Sequence, residues 1–198
     1  MTDNKEKKLI RRKILALREA VGREELEKHS LLIVKKFLAM PEYLSSKVVS
    51  SYSPINFEAD ISEFNKTAVK EGRICAYPVT LDDGKLIFAV PKDENAWHEG
   101  PFGIKTPLLE RSLEVPPSEI DFAVVPCVGF DPETGVRLGM GGGYYDRIMP
   151  EMTHAFKVSP AFEFAKVENL TACEHDMPVD AVVTEKTIYR FKRIKDKG

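Results

Sequence analysis

From residue 47 onward, short apolar runs alternate with segments of helical period, and several of the runs are apolar along their whole length. Lys47-Val-Val-Ser-Ser-Tyr52, Arg73-Ile-Cys-Ala-Tyr-Pro78, Lys85-Leu-Ile-Phe-Ala-Val90, Ile120-Asp-Phe-Ala-Val-Val-Pro126, Ala155-Phe-Lys-Val158 and Val179-Asp-Ala-Val-Val-Thr184 are the strand candidates. A strand that is apolar at nearly every position has no side to offer water, so both faces of its sheet must be covered. Strands of that kind separated by helices predict an α/β chain: a three-layer α/β/α arrangement around a mainly parallel sheet, in a single domain over 1–198. The helical segments are 4–20, 23–40 (stopped by Pro41), 61–71 (stopped by Gly72) and 144–152; those within 4–40 precede the sheet. Asp82-Asp-Gly84 marks a turn before the third strand, and residues 91–119, rich in Pro, Gly and charge, read as an irregular connection. In such folds ligands collect at the carboxyl ends of the strands. That edge holds the glycine-rich segment after the strand at 120–126, and Glu58 after the strand at 47–52.

The glycine-rich segment is the densest chemistry in the chain. Arg137-Leu-Gly-Met-Gly-Gly-Gly-Tyr-Tyr-Asp-Arg147 places glycines at 139, 141, 142 and 143, an Arg at each end, and Asp146 after two tyrosines. Glycines cost stability unless the backbone must bend sharply or a ligand must come close. Main-chain N–H groups flanked by Arg and followed by a helix start suit phosphate. A lone carboxylate just after them suits the magnesium that accompanies a nucleotide. The P-loop pattern fails, because Tyr144-Tyr145 stands where Lys-Ser/Thr is needed. The dinucleotide pattern fails, because Tyr144 stands where its last Gly belongs. The plain alternative is a tight turn between strand and helix, which leaves the two Arg and the Asp unexplained.

Residues 4–20 carry an apolar stripe of Ile10, Ile14, Leu17 and Val21, and two basic pairs at helical spacing, Lys7 with Arg11 and Lys8 with Arg12. Taken alone, such pairs are a solvated basic face. A net charge of −2 argues against broad nucleic-acid binding. No stretch approaches the ~18–20 apolar residues of a membrane span. The charged start from Asp3 to Lys8 does not read as a signal peptide, so a cytoplasmic place is expected. Cys75, Cys127 and Cys173 have no Cys-x-x-Cys spacing, and the four histidines have no ligand spacing, so a zinc site is not expected.

The chain resembles the 5-formyltetrahydrofolate cyclo-ligase family, whose members are also called 5,10-methenyltetrahydrofolate synthetases. Residues 137–147 reproduce its signature, Arg-Leu-Gly-x-Gly-x-Gly-Tyr-Tyr-Asp-Arg. Lys7-Lys-Leu-Ile-Arg11, Glu58-Ala-Asp60, Val125-Pro126, Phe130-Asp131, His175-Asp176, Asp180 and Thr184-Glu185 resemble further family elements in order along the chain. The resemblance implies an enzyme that uses ATP and Mg2+ to cyclise 5-formyltetrahydrofolate to 5,10-methenyltetrahydrofolate, with release of ADP and phosphate. ATP is needed because a formamide oxygen is a poor leaving group until it is phosphorylated. It implies ATP contacts from Lys7, Arg11, Arg137, Leu138, Gly139, Met140, Gly141, Gly142, Gly143, Tyr144 and Tyr145. It implies folate contacts from Ser53, Glu58 and Tyr144, with Glu58 on the N–H edge of the pterin, and metal contacts from Asp146 and Asp180. The plain alternatives are helix packing for the tyrosines and a helix N-terminal charge for Glu58. The expected partners are the two small-molecule substrates, reduced folate and ATP, with no nucleic acid and no membrane, in a chain that is a monomer rather than an obligate oligomer.

Two departures stand on the folate side. Phe102-Gly-Ile-Lys-Thr-Pro107 has Thr106 where the family has Glu, and Ser159-Pro-Ala-Phe-Glu-Phe-Ala165 has Ser159 for Gly and Ala165 for Gln. They leave two other readings open: an ATP-using enzyme that activates a different amide or carboxylate, and a non-catalytic folate- or nucleotide-binding protein.

Overall fold

The computed structural model describes residues 2–55, 57–100, 103–173 and 175–192. Phe102 and the ends of the expected 1–198 domain lie outside the described residues. Two helices, α1 (Thr2–Val21) and α2 (Arg23–Leu38), open the chain, and Pro41 begins a short third one, α3 (Pro41–Leu44). The core is an eight-stranded sheet. Its five central strands are parallel and lie in the order β11 (Ala181–Val183), β10 (Phe156–Pro160), β7 (Phe122–Val124), β1 (Val48–Ser50), β2 (Ile74–Thr80). Antiparallel strands close both sides, β12 (Ile188–Arg190) beyond β11, and β3 (Leu86–Pro91) then β6 (Ser112–Val115) beyond β2.

Side chains of a strand alternate between faces, and the burial follows that period. On one face Val49, Phe122, Val124, Val158, Ala181 and Val183 meet α2 and α4 (Ser62–Lys70) through Ile33, Val34, Phe37 and Phe64. On the other, Ala76, Phe88, Ala123, Val125 and Val182 meet Phe130, Ile148, Met149 and Met152. Burying each large side chain contributes roughly 1.5–3 kcal/mol. The second layer is thin, because its helix α5 (Tyr144–Ile148) has five residues and passes into a 3-10 turn, Met149–Glu151, that contains Pro150. The helix expected over 144–152 is therefore about half as long as its pattern suggested.

The region 91–119 is not an irregular connection. It holds β4 (Trp97–Glu99) and β5 (Lys105–Pro107), paired as a small antiparallel ribbon, and the sheet strand β6. The edge strand β12 has no counterpart among the expected strands either. These are short, half-exposed strands, so they lack the continuous apolar run that marks a central one. Among the described residues no helix is long and apolar enough to cross a membrane.

Along the parallel strands the connection order reverses between β1 and β7. A crevice opens beyond the carboxyl ends of two neighbouring strands whose chains depart in opposite directions, the usual place for a ligand in an open α/β sheet.

Candidate active site

Leaving β1, the chain is held by Asn65 of α4, which accepts from the Ser51 hydroxyl and donates to the Tyr52 carbonyl at 3.1 Å. The Tyr52 hydroxyl donates to the Ala59 carbonyl at 3.0 Å. Between them Glu58 closes its own turn, its Oε2 accepting from the Ile55 N–H at 3.1 Å. Phe57, in the same turn, sits at a φ of 54°, a strained value for a bulky residue. Burial pushes the Glu58 carboxyl above its ordinary range, and the Ile55 N–H and Arg18 pull it part of the way back. Ser53 donates to the Lys105 carbonyl at 2.7 Å and so ties the β4–β5 ribbon to the end of β1.

Leaving β7, the chain forms a small hairpin, β8 (Gly129–Phe130) with β9 (Arg137–Leu138), and then the glycine loop. The hairpin turn is organised by buried Asp131, which accepts from the N–H groups of Glu133, Thr134 and Leu170. In the loop, Gly141 has a φ of 103°, which L side chains avoid, and a Cβ at Gly142 would fall 2.6 Å from the Tyr144 ring. Among the described residues the N–H groups of 140–143 enter no backbone hydrogen bond. Leu138 is buried, packing with Val136 and Leu170, while Met140 is exposed. Tyr144 lies under the Arg147 guanidinium, 5.0 Å from its ring centre. Arg147 also donates to the carbonyls of Gly142 and Gly84, which clamps the loop to the β2–β3 turn. The Tyr145 hydroxyl is buried with no partner among the described residues.

The basic face of α1 turns inward. Lys7, Arg11, Ile14 and Arg18 lie on one side of the helix, with Lys7 9% and Arg18 1% exposed. Leu17 at 48% and Val21 at 36% are exposed, so the expected stripe of Ile10, Ile14, Leu17 and Val21 is not the buried one. Lys8 and Arg12 face water. Arg11 Nε donates to the Gly139 carbonyl at 2.6 Å, and its guanidinium lies against Gly141. Lys7 Nζ donates to Asp176 and, at 3.2 Å, to Cys173 Sγ. Burial alone lowers the Lys7 pKa, but the hydrogen bonds and charges of Asp176 and Cys173 outweigh it and leave it raised. Burial likewise opposes ionisation of Asp176, and Lys7 with the Cys173 N–H more than offsets it, so that carboxyl is lowered.

Asp146 is not a lone carboxylate. Its Oδ1 accepts from Arg137 Nη1 at 3.0 Å and from the Met177 N–H at 3.1 Å, and the Arg137 side chain is almost wholly buried. The bond from Met177 brings Asp176, its neighbour in the chain, to the same corner. Asp180 is elsewhere: it precedes β11 at the amino edge of the sheet, where its Oδ2 accepts from the Lys157 N–H at 2.7 Å. The structure does not bring Asp180 to Asp146. Asp176, Cys173 and Arg18 join the site without having been expected there. For Arg18 a signal existed, its spacing of seven from Arg11.

Of the departures, Thr106 pairs with His98 in the β4–β5 ribbon and bonds the Ile104 carbonyl. Ser159 is fully buried, with its hydroxyl beside the Cys127 thiol. Ala165 is a packing position under α1, against Ile14 and Val128.

Magnesium prefers hard oxygen donors, typically one or two carboxylates with substrate phosphates completing its shell. Among the described residues Asp146 and Asp176 each engage one carboxylate oxygen in hydrogen bonds and leave the other unengaged. That donor set fits the ion.

The arrangement is similar to known proteins along nearly the whole chain. The model of the 5-formyltetrahydrofolate cyclo-ligase family matches residues 3–185. The 5-formyltetrahydrofolate cyclo-ligase of Mus musculus is 29% identical, over 93% of this chain and 96% of its own. That of Escherichia coli (strain K12) is 27% identical, over 88% and 97%. Among solved structures, 5,10-methenyltetrahydrofolate synthetase of Aquifex aeolicus is 32% identical with a TM-score of 0.83, covering 97% of this chain and 96% of its own. One from Mycoplasma pneumoniae, 24% identical over 90% of this chain and 98% of its own, shares the fold at a TM-score of 0.74.

Proposed function

Because the chain belongs to the 5-formyltetrahydrofolate cyclo-ligase family, we propose that it is an enzyme that closes 5-formyltetrahydrofolate to 5,10-methenyltetrahydrofolate at the expense of ATP. The observation that carries this reading is the meeting of Lys7 and Arg11 of α1 with the glycine loop, Asp146 and Asp176, from opposite ends of the chain. The unengaged loop N–H groups and Arg11 would receive the phosphates, with Lys7 beside them. Arg137 neutralises Asp146 and fixes its direction. Glu58 would accept from the pterin N–H edge at the crevice between β1 and β7, and Tyr144 would border the folate.

Phosphoryl transfer of this kind is chiefly positioning and charge neutralisation. The terminal phosphoryl group passes to the formyl oxygen, the nitrogen at position 10 attacks the formyl carbon, and phosphate leaves. The residues above hold the two substrates in line and keep the phosphate charge countered. Asp146 and Asp176 would hold magnesium, which supplies the positive charge that screens the phosphate oxygens from those carboxylates. Asp180, at the amino edge, has no part in it. With ATP and a reduced folate as substrates, the proposed place of work is the cytoplasm.

The test is direct. Protein, magnesium-ATP and 5-formyltetrahydrofolate are mixed, and the absorbance of the methenyl product is monitored. Product that depends on ATP is expected. Folded protein that binds ATP and forms none would overturn the cyclo-ligase reading in favour of another amide or carboxylate substrate.

A further inference from the structure

The inward face of α1 buries a third cation that the nucleotide site does not use. Arg18 is 1% exposed. Its Nη2 donates to the Cys127 and Val128 carbonyls, both at 2.9 Å, where the chain leaves β7 beside the crevice. Its Nε and Nη1 are buried and bond nothing among the described residues. Its remaining cover is apolar, with the Phe162 ring centre 5.6 Å from the guanidinium carbon. Among the described residues no carboxylate lies within ion-pair distance of Arg18, and a buried guanidinium so placed is costly. Tying α1 to the loop after β7 employs one nitrogen and leaves the other two unexplained.

The surroundings share the same bias. The Arg137 Nε and the Tyr145 hydroxyl are also buried without partners among the described residues, and each can donate. The acceptor in this neighbourhood is Glu58, whose carboxyl feels the Arg18 charge. Glu58 lies in the turn after β1 and Arg18 on the carbonyls after β7, and those two strands are paired neighbours, which puts the two charges at one crevice. With Asp146 already taken by Arg137, donors beside the Glu58 carboxylate complement a ligand that shows carbonyl oxygen next to a single N–H edge. A 2-amino-4-oxo pterin has that pattern, its N–H groups and its 4-oxo oxygen being neighbours on the ring.

We infer that Arg18 is a specificity-determining residue, whose Nε–H and Nη1–H donate to the pterin 4-oxo oxygen while Glu58 accepts from the adjacent N–H groups. This rests on the folate reading above. A site built to donate to a carbonyl rejects an analogue that presents a donor there, because two donors then face each other unpaired. The cyclo-ligase would discriminate by this route against 4-amino folates.

The experiment compares the affinity for 5-formyltetrahydrofolate with that for its 4-amino-4-deoxy counterpart, in wild type, Arg18→Met and Arg18→Lys. Wild type is expected to favour the 4-oxo compound by at least about tenfold. In Arg18→Met the ratio should fall at least about threefold, through loss of 4-oxo affinity and with the KM for ATP unchanged, the remainder coming from the N3–H that the 4-amino ring cannot offer Glu58. Lys retains a donor but not the planar fork, so its ratio should be intermediate. Equal binding of the two compounds by wild type overturns the inference without any variant, and so does a wild-type ratio kept in folded Arg18→Met. If Arg18→Met does not fold, the wild-type and Arg18→Lys ratios decide. Methenyl product from wild type with a ratio insensitive to Arg18 sinks this inference alone. Absence of product from wild type sinks the function reading and this one with it.

Discussion

Burial raises the Glu58 pKa above 4.5, so between that value and its folded pKa the folded chain binds more protons than the unfolded one. Stability then falls as pH rises through that window, and at neutral pH the ionised carboxylate costs the ligand-free protein stability. Glu58→Gln should match or exceed the wild-type melting temperature at pH 7, with the difference closing below about pH 4.5. Folate affinity should drop roughly ten- to a hundredfold, since a bond to a charged acceptor is worth ~1.5–3 kcal/mol, and ATP affinity should hold. A lower melting temperature with both ligands weakened alike would make Glu58 a structural residue. Asp146 is a partner in the fold as well, because its carboxylate neutralises buried Arg137. Asp146→Asn should lose about 1–3 kcal/mol in urea unfolding, since Asn can still accept but no longer balances the charge. It should also lose turnover on the order of a hundredfold and need more magnesium for half-maximal rate. Unchanged magnesium dependence beside the stability loss would leave Asp146 as the partner of Arg137 only. Asp176→Asn should shift the magnesium curve too, whereas Asp180→Asn should leave it in place.

At the scale of the element, α1 works as a rod of inward cations. Lys7, Arg11 and Arg18 fall on its covered side while Lys8 and Arg12 point to water. Replacing Lys7 with Met should cost ATP affinity about ten- to a hundredfold, as loss of a charge-assisted contact does. The same change at Lys8 should alter it by less than about twofold, because exposed charges contribute little. Isothermal titration of the two variants checks this, and equal losses would mean that α1 acts through overall charge and not through one face. The Lys7–Asp176 pair should not titrate near neutrality. The Asp176 pKa lies below 3.8, so its contribution is present above that value and fades as pH falls through the folded pKa. The Lys7 pKa lies above 10.5, so its contribution is present below that value and fades as pH rises.

For the whole molecule, ATP would bridge the first helix to the glycine loop and the segment after it, which no single element does. A ligand at a hundred times its Kd stabilises by about 2.7 kcal/mol, which for a chain of this length raises the melting temperature by roughly 5–11 °C. A non-hydrolysable ATP analogue with magnesium should produce that shift in wild type, and Lys7→Met should lose about half of it or more at the same concentration. A shift of full size in Lys7→Met would detach α1 from the nucleotide site.

Local pattern was enough for the layered sheet, because a strand covered on both faces must be apolar throughout, as β7 and β11 are. It was enough to mark the glycine loop as a sharp passage from strand to helix, because a backbone angle like that of Gly141 excludes L side chains. It was not enough for α1, where the apolar period pointed to Leu17 and Val21, because buried cations invert the usual inside-outside pattern. Nor could it separate Asp176 from Asp180, which lie four positions apart, the one bonded to Lys7 and the other to the Lys157 N–H at the amino edge of the sheet. Lys7 meets Asp176 across 169 positions and Arg11 meets Gly139 across 128. Contacts of that span are set by strand order and by which face of a helix the sheet covers, and those are decided only when the whole chain packs.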